Sequence, residues 1–172
     1  MISGEIQFRV GQTHDSVYTL REILREYAIQ EGISLYRIKN DKDRLTYTCK
    51  GDGCPWRLHA SCMIDGVTMM VRTYNDSHEC TRVYKNEEAK VKWIANKFEW
   101  LVKYNPDIKV GVIAGLLRDK FKVNVDIQRL YKAKRRALDG LGKEHNECFR
   151  YFRKYAYMVG QCNPSSAAYI RT

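Results

Sequence analysis

Four residues in the middle of the chain have the types and spacing of a closed metal site. They fall in the pattern Cys-x4-Cys-x23-His-x-Cys: Cys49-Lys-Gly-Asp-Gly-Cys54-Pro-Trp56, then His78-Glu-Cys80. Three thiols and one imidazole are the donor set of a structural tetrahedral zinc ion. Gly51 and Gly53 are expected to fold the backbone into the knuckle that joins the two thiolates, since glycine accepts positive φ. His78 and Cys80, two apart at the end of a strand, would point the same way. The competing reading is four unrelated buried or reactive side chains.

Composition sets the frame for that site. The chain has 172 residues, is 44% hydrophobic and 12% aromatic, and contains three prolines. That is enough to fold as one ordinary domain or two small ones. There is no run of eighteen apolar residues, and Met-Ile-Ser-Gly-Glu at the start is not a secretory signal. A reducing interior is therefore expected, where six cysteines favour metal over disulfides. The net charge of +10 is uneven. Residues 1–85 carry 12 Lys/Arg against 11 Asp/Glu, and residues 86–172 carry 18 against 9. The second half is thus expected to face a polyanion, unless the excess is only a solvated surface.

The elements that must position the metal ligands can be read along the chain. Phe8-Arg-Val10 is a short apolar lead-in, and Thr19-Leu-Arg-Glu22 has capping-box spacing. Leu20, Ile23, Leu24, Tyr27 and Ala28 recur at helical spacing up to Gly32. Four short strands follow, roughly 33–39, 44–50, 56–64 and 67–74, the last two joined by Asp65-Gly66. The ligands then lie at one end of a four-stranded antiparallel meander. So small a sheet buries little apolar surface, so metal binding of order ~10 kcal/mol would be part of its folding. Trp56, His59 and Cys62 read as packed side chains.

Beyond the sheet, Asn86-Glu-Glu-Ala opens a helix whose inward stripe is Val91, Ile94, Ala95, Phe98, Leu101 and Val102. A second helix covers roughly 109–121. A third, capped by Asp126, runs to about Asp139, completing a helix-turn-helix-like unit. On this third helix Ile127, Leu130, Tyr131, Ala137, Leu138 and Leu141 share one side. Arg129, Lys132, Arg135 and Arg136 gather opposite, a face suited to phosphates. Lys134 falls on the apolar side and would have to snorkel. The face is equally read as solvated surface, and Lys132-Ala-Lys-Arg-Arg136 as a nuclear-localisation string.

The order of a helix, Lys39-Asn40-Asp41, Arg44, Cys-x4-Cys-Pro-Trp, a hairpin, Asn75, His78 and Cys80 resembles the N-terminal zinc domain of plant Mutator-like (MuDR-type) transposases. That domain is similar to the WRKY and GCM zinc folds, whose sheet places a strand in the DNA major groove. The heptapeptide of WRKY proteins is absent, and Leu35-Tyr-Arg-Ile-Lys-Asn40 stands in its place. The resemblance makes Arg37, Lys39 and Asn40 candidates for DNA contact, with Arg37 and Lys39 expected on one strand face. It divides the chain into a zinc domain (1–85), a basic three-helix domain (86–142), and a helical linker opening onto a missing RNase H-like catalytic domain (143–172).

The expectation is an α+β protein: an N-terminal helix and a four-stranded zinc-bound sheet, then a small helical domain. Its zinc ligands would be Cys49, Cys54, His78 and Cys80, its partner double-stranded DNA, and its location the nucleus. Without the clustered carboxylates of two-metal strand transfer, no enzymatic activity is expected. The alternative is a transposase-derived protein-interaction or dimerisation module, a homo-oligomer or a transposase being the partner.

Overall fold

The computed structural model describes residues 5–162, apart from the side chains of residues 141–153, 156 and 160. Nine elements follow one another. They are β1 (Thr13–His14), α1 (Val17–Glu31), β2 (Leu35–Asn40), β3 (Arg44–Cys49), β4 (Arg57–Cys62), β5 (Met69–Asn75), α2 (Val91–Tyr104), α3 (Val110–Phe121) and α4 (Ile127–Cys162). The class is α+β, as expected from the sequence.

The sheet has five strands, not four, in the antiparallel order β1-β5-β4-β3-β2. The added strand is two residues long, too short for an alternation signal. It is held on β5 by Gly11, at φ 87°, whose N–H donates to the Val71 carbonyl at 2.8 Å. Only glycine adopts that conformation readily.

α1 begins a turn earlier than Thr19. Ser16 is the cap, its hydroxyl accepting from the Thr19 N–H at 3.2 Å, and Gly32 at φ 69° ends the helix. Leu20, Leu24, Tyr27 and Ala28 pack on Leu45, Tyr47, Trp56, Leu58 and Val71 of the sheet. Trp56 is fully buried; its indole N–H donates to Tyr27 Oη at 3.2 Å, and its ring stacks on that of Tyr27.

A second core joins Ile29 of α1 to Trp93, Ile94, Phe98, Ile113, Leu117, Leu130 and Ala133 of the three later helices. α1 therefore serves both cores. The segment between β5 and α2 fastens them. Asn86–Ala89 is not the start of a helix; Asn86 is buried, and its amide donates to the carbonyls of Ala28 (2.8 Å) and Ile33 (3.1 Å). An Asx-type side chain that finds backbone partners in this way favours irregular chain over helix. Arg82 reaches the carbonyls of Ile29, Gln30 and Phe121, tying the ends of α1 and α3. Buried Glu26 accepts from the Trp93 indole at 2.7 Å and pairs with Lys97 at 2.6 Å.

α4 runs to Cys162 instead of ending near Asp139, through Gly140 and Gly142. Each mid-helix glycine costs about 1 kcal/mol against alanine, too little to break a helix already packed on α2. Its buried stripe is Leu130, Ala133 and Ala137, whereas Ile127 and Tyr131 are exposed (47% and 56%). The stripe is narrow because alanines at 133 and 137 let α2 come close. Lys134 does not snorkel to water; its ammonium donates to the Ile108 carbonyl at 2.8 Å. Leu141, expected on the same stripe, lies outside the described side chains, as residues 163–172 of the expected lead into a catalytic domain lie outside the described chain.

If Asn86 fastens the two cores, Asn86→Ala should destabilise the fold by about 2–4 kcal/mol, leaving two carbonyls and the Glu88 N–H without their partner. Glu87→Ala removes only the exposed pair with Lys50 and should leave the urea midpoint unchanged. Equal midpoints for the two variants would rule out the fastening role.

Candidate metal centre and nucleic-acid interface

The four residues singled out by spacing converge. Cys49 ends β3, Cys54 lies in the β3–β4 loop, and His78 and Cys80 follow β5. One ligand atom from each lies within 4.8 Å of all the others. Cys49 Sγ is 3.5 Å from His78 Nε2 and 3.9 Å from Cys80 Sγ. A tetrahedral ion with bonds of about 2.3 Å to sulfur and 2.0 Å to nitrogen sets these separations at ~3.5 and ~3.8 Å. These two separations are those expected around one metal ion of that size, and all four donors lie close enough to be drawn onto it.

The thiols carry the same message electrostatically. Burial pushes the Cys54 thiol up, but N–H groups of Trp56 and Glu79 and the thiols of Cys80 and Cys49 outweigh it and hold it below the ordinary range. Cys80 is pushed up to about 12, first by its hydrogen bond to Cys54, then by burial and by the charge of the neighbouring sulfurs. A cation among them would let all three become thiolates in so small a space.

The knuckle works differently from the reading based on glycine flexibility. Gly53 has φ 71° and open space around it, but Gly51 has no positive φ. What Gly51 provides is room: a Cβ there would lie 2.2 Å from Cys80 Sγ. Its N–H also donates toward Cys49 Sγ at 3.4 Å, and its carbonyl accepts from the Cys54 N–H at 3.2 Å. On the other side, Asn75 Oδ1 accepts from the Ser77 N–H at 3.1 Å, turning the chain toward His78. Trp56 links this end to the core, its carbonyl accepting from the Cys49 N–H at 3.3 Å.

The residues considered for nucleic-acid contact have diverse surroundings. A bulge between Arg37 and Lys39 breaks the alternation in β2, so the two do not share a face. Arg37 registers with Tyr47 on the core side, Lys39 with Thr46 on the open side. The Arg37 guanidinium lies over the Tyr47 ring and is hydrogen-bonded to buried Glu88, which also pairs with Arg25 at 3.5 Å. Burial opposes that charge, but hydrogen bonding to Glu88 raises the Arg37 pKa above its usual value. Asn40 Oδ1 accepts from Arg21 and from the Tyr47 hydroxyl, at 2.9 and 3.0 Å. Lys39 is exposed. On α4, Lys132, Arg135 and Arg136 are exposed, while Arg129 is half-buried and reaches the Ala89 carbonyl at 3.4 Å. Sequence reasoning missed Glu88 because its partners are 51 and 63 positions away, and no local pattern links them.

The room at Gly51 can be tested directly. Gly51→Ala should lower metal affinity at least ~10-fold, the scale expected when groups around a ligand are disturbed. Gly53→Asn, which keeps a residue tolerant of left-handed backbone, should bind as the wild type does. Metal content by native mass spectrometry with a competing chelator measures both. Equal affinities for Gly51→Ala and wild type would refute the steric account.

Among known proteins, the crystal structure of AFT2 in complex with DNA superposes with a TM-score of 0.38 at 17% identity, covering 59% of this chain and 82% of that one. No curated protein matches the chain. Residues 5–71 match the family model of the MuDR family transposase, a segment that contains α1, β1 to β4 and the first two ligand cysteines.

Proposed function

We propose that this chain is a zinc-dependent, duplex-DNA-binding unit of a Mutator-like transposase or of a protein derived from one. It would act in the nucleus, by binding and without catalysis of its own. The observation that carries the reading is the closed Cys49, Cys54, His78 and Cys80 cluster, half of it inside the segment that matches the transposase family. Three sulfurs and one nitrogen within 4.8 Å of one another favour zinc over harder cations, which prefer oxygen. Zinc would hold the sheet end closed and so fix every strand that follows from it, in the manner of WRKY- and GCM-like zinc folds.

A second support is the basic face of α4. Lys132, Arg135 and Arg136 are exposed on one helix, with Arg129 beside them. Such a face gives affinity through phosphates and counterion release, not through base reading. The exposed Lys132, Arg135 and Arg136 of the basic string are also what supports nuclear import.

Anisotropy titration of the zinc-loaded chain with duplex DNA in 100 mM salt should give a Kd below ~10 µM, tighter than weak non-specific binding. Chelation, Cys49→Ser or His78→Ala should abolish it together with the bound zinc. Changing Arg129, Lys132, Arg135 and Arg136 together to Ala should flatten the salt dependence by about one unit for each phosphate no longer neutralised. A zinc-loaded chain that does not bind duplex DNA would defeat the proposal.

A further inference from the structure

The charge on the sheet is segregated in a way that the totals for residues 1–85 hide. The five strands contain Arg37, Lys39, Arg44, Arg57 and Arg72, and no Asp or Glu. All the acids of this half lie on α1, in turns and in loops. Arg37 is on the core side, paired with Glu88. The other four cations belong to the open face, and the register shows how.

Strand pairing lays the open face out in rows. One runs Tyr36, Thr48, Arg57 and Asn75; the next runs Lys39, Thr46, His59 and Thr73. A third pairs Arg44 with Ser61, and bulged Arg72 reaches onto this face to donate to Ser61 Oγ at 2.9 Å. Every row thus holds at least one cation among hydroxyl or amide side chains. The rows are two residues apart, about 7 Å. Arg44 is shared with Asp41 of the adjoining turn at 3.6 Å. Lys39, Arg57 and Arg72 are exposed and pair with no acid among the described residues. α1 packs on the opposite face, so none of the sheet's core side chains is displaced by a partner lying here.

We infer that this open sheet face is a phosphate-binding surface for duplex DNA, the strands lying against the backbone with Lys39, Arg57 and Arg72 as its charged contacts. This rests on the DNA-binding reading above and adds a second surface to α4. The hydroxyls of Thr48 and Thr73 between cations suit phosphate oxygens, which accept hydrogen bonds from both, whereas Thr46 is buried against His59 Nδ1. Single-stranded nucleic acid is the weaker fit, because Tyr36 is the one exposed ring in these rows and stacking needs a series of them.

The test is Lys39→Ala/Arg57→Ala/Arg72→Ala in the full chain, zinc-loaded, against a 20-bp duplex at several salt concentrations. Zinc content and thermal melting should match the wild type, since all three side chains are exposed. Affinity should fall at least tenfold in 100 mM salt, and the salt slope should flatten by about 0.9 for each phosphate no longer neutralised. Lys42→Ala, on the turn beyond the face, should change neither. Arg57→Lys/Arg72→Lys with Lys39 intact should keep the wild-type slope. A wild-type chain that binds while the triple variant matches it within twofold would overturn the surface and leave the function standing. A wild-type chain that binds no duplex would overturn both, and a triple-variant loss seen only with single strands would overturn the duplex as its occupant.

Discussion

Three thiols and an imidazole lie within 4.8 Å of one another at one end of the sheet, and they can all act as charged or lone-pair donors together only around a cation. The Cys80 thiol is pushed up to about 12, first by its hydrogen bond to Cys54 and then by burial and the neighbouring sulfurs, so without a cation it keeps its proton. A cation at their centre would favour the thiolate form of all three sulfurs. It would close β3 on the segment after β5, two pieces of chain that do not neighbour each other in the sheet order. The strands between them then have both ends defined. Because the Trp56 carbonyl accepts from the Cys49 N–H, and the indole meets Tyr27, the same closure sets the aromatic core against α1.

The consequence passes down the chain. Cys80 fixes where residues 81–90 begin, and those residues carry Arg82, Asn86 and Glu88 into the space between the cores. Each of these side chains is polar and meets partners on α1 or β2. A buried polar group without partners would cost several kcal/mol, so this segment has one favourable route. Gly32 is part of that route, since a Cβ there would lie 2.3 Å from Arg82 Cγ. The glycine that ends α1 is therefore fixed twice, by its left-handed backbone and by the arginine crossing it.

This explains what could be read from the sequence and what could not. The Cys/His cluster was legible because its chemistry is written in residue type and close spacing, and four strands were legible from alternation and from Asp65-Gly66. α1 was legible in its stripe but not in its first turn, where Ser16 and Thr19 both have capping chemistry. The role of Gly51 was not legible, because the clash that forbids a side chain involves Cys80, 29 positions on in the chain. Arg37 and Lys39 were assigned to one face by simple alternation, which one bulged residue reverses. Asn86 reads locally as a helix start, and only the carbonyls of Ala28 and Ile33 make it something else. In each case the local rule was sound and a distant partner decided the outcome.

Net charge by segment is a poor guide to this molecule for the same reason. Residues 1–85 are nearly neutral in total, which directs attention to the later helices. Yet a neutral sum says nothing of how the signs are sorted. Glu26 is taken up with Trp93 and Lys97, and Asp65 by the N–H groups of Val67 and Thr68 in its own turn. Asp41 receives the Arg44 N–H at the mouth of the β2–β3 turn. The acids thus serve turns and crossings, where carboxylates can accept backbone and indole donors. Strand residues make their backbone bonds to one another, and Lys39, Arg57 and Arg72, which pair with no acid among the described residues, remain available to solvent or to a polyanion. Within a Debye length of about 8–10 Å, a partner lying on the open face meets the charge of that face more than the charge of the domain. The electrostatic unit here is therefore the sheet face, not the chain segment.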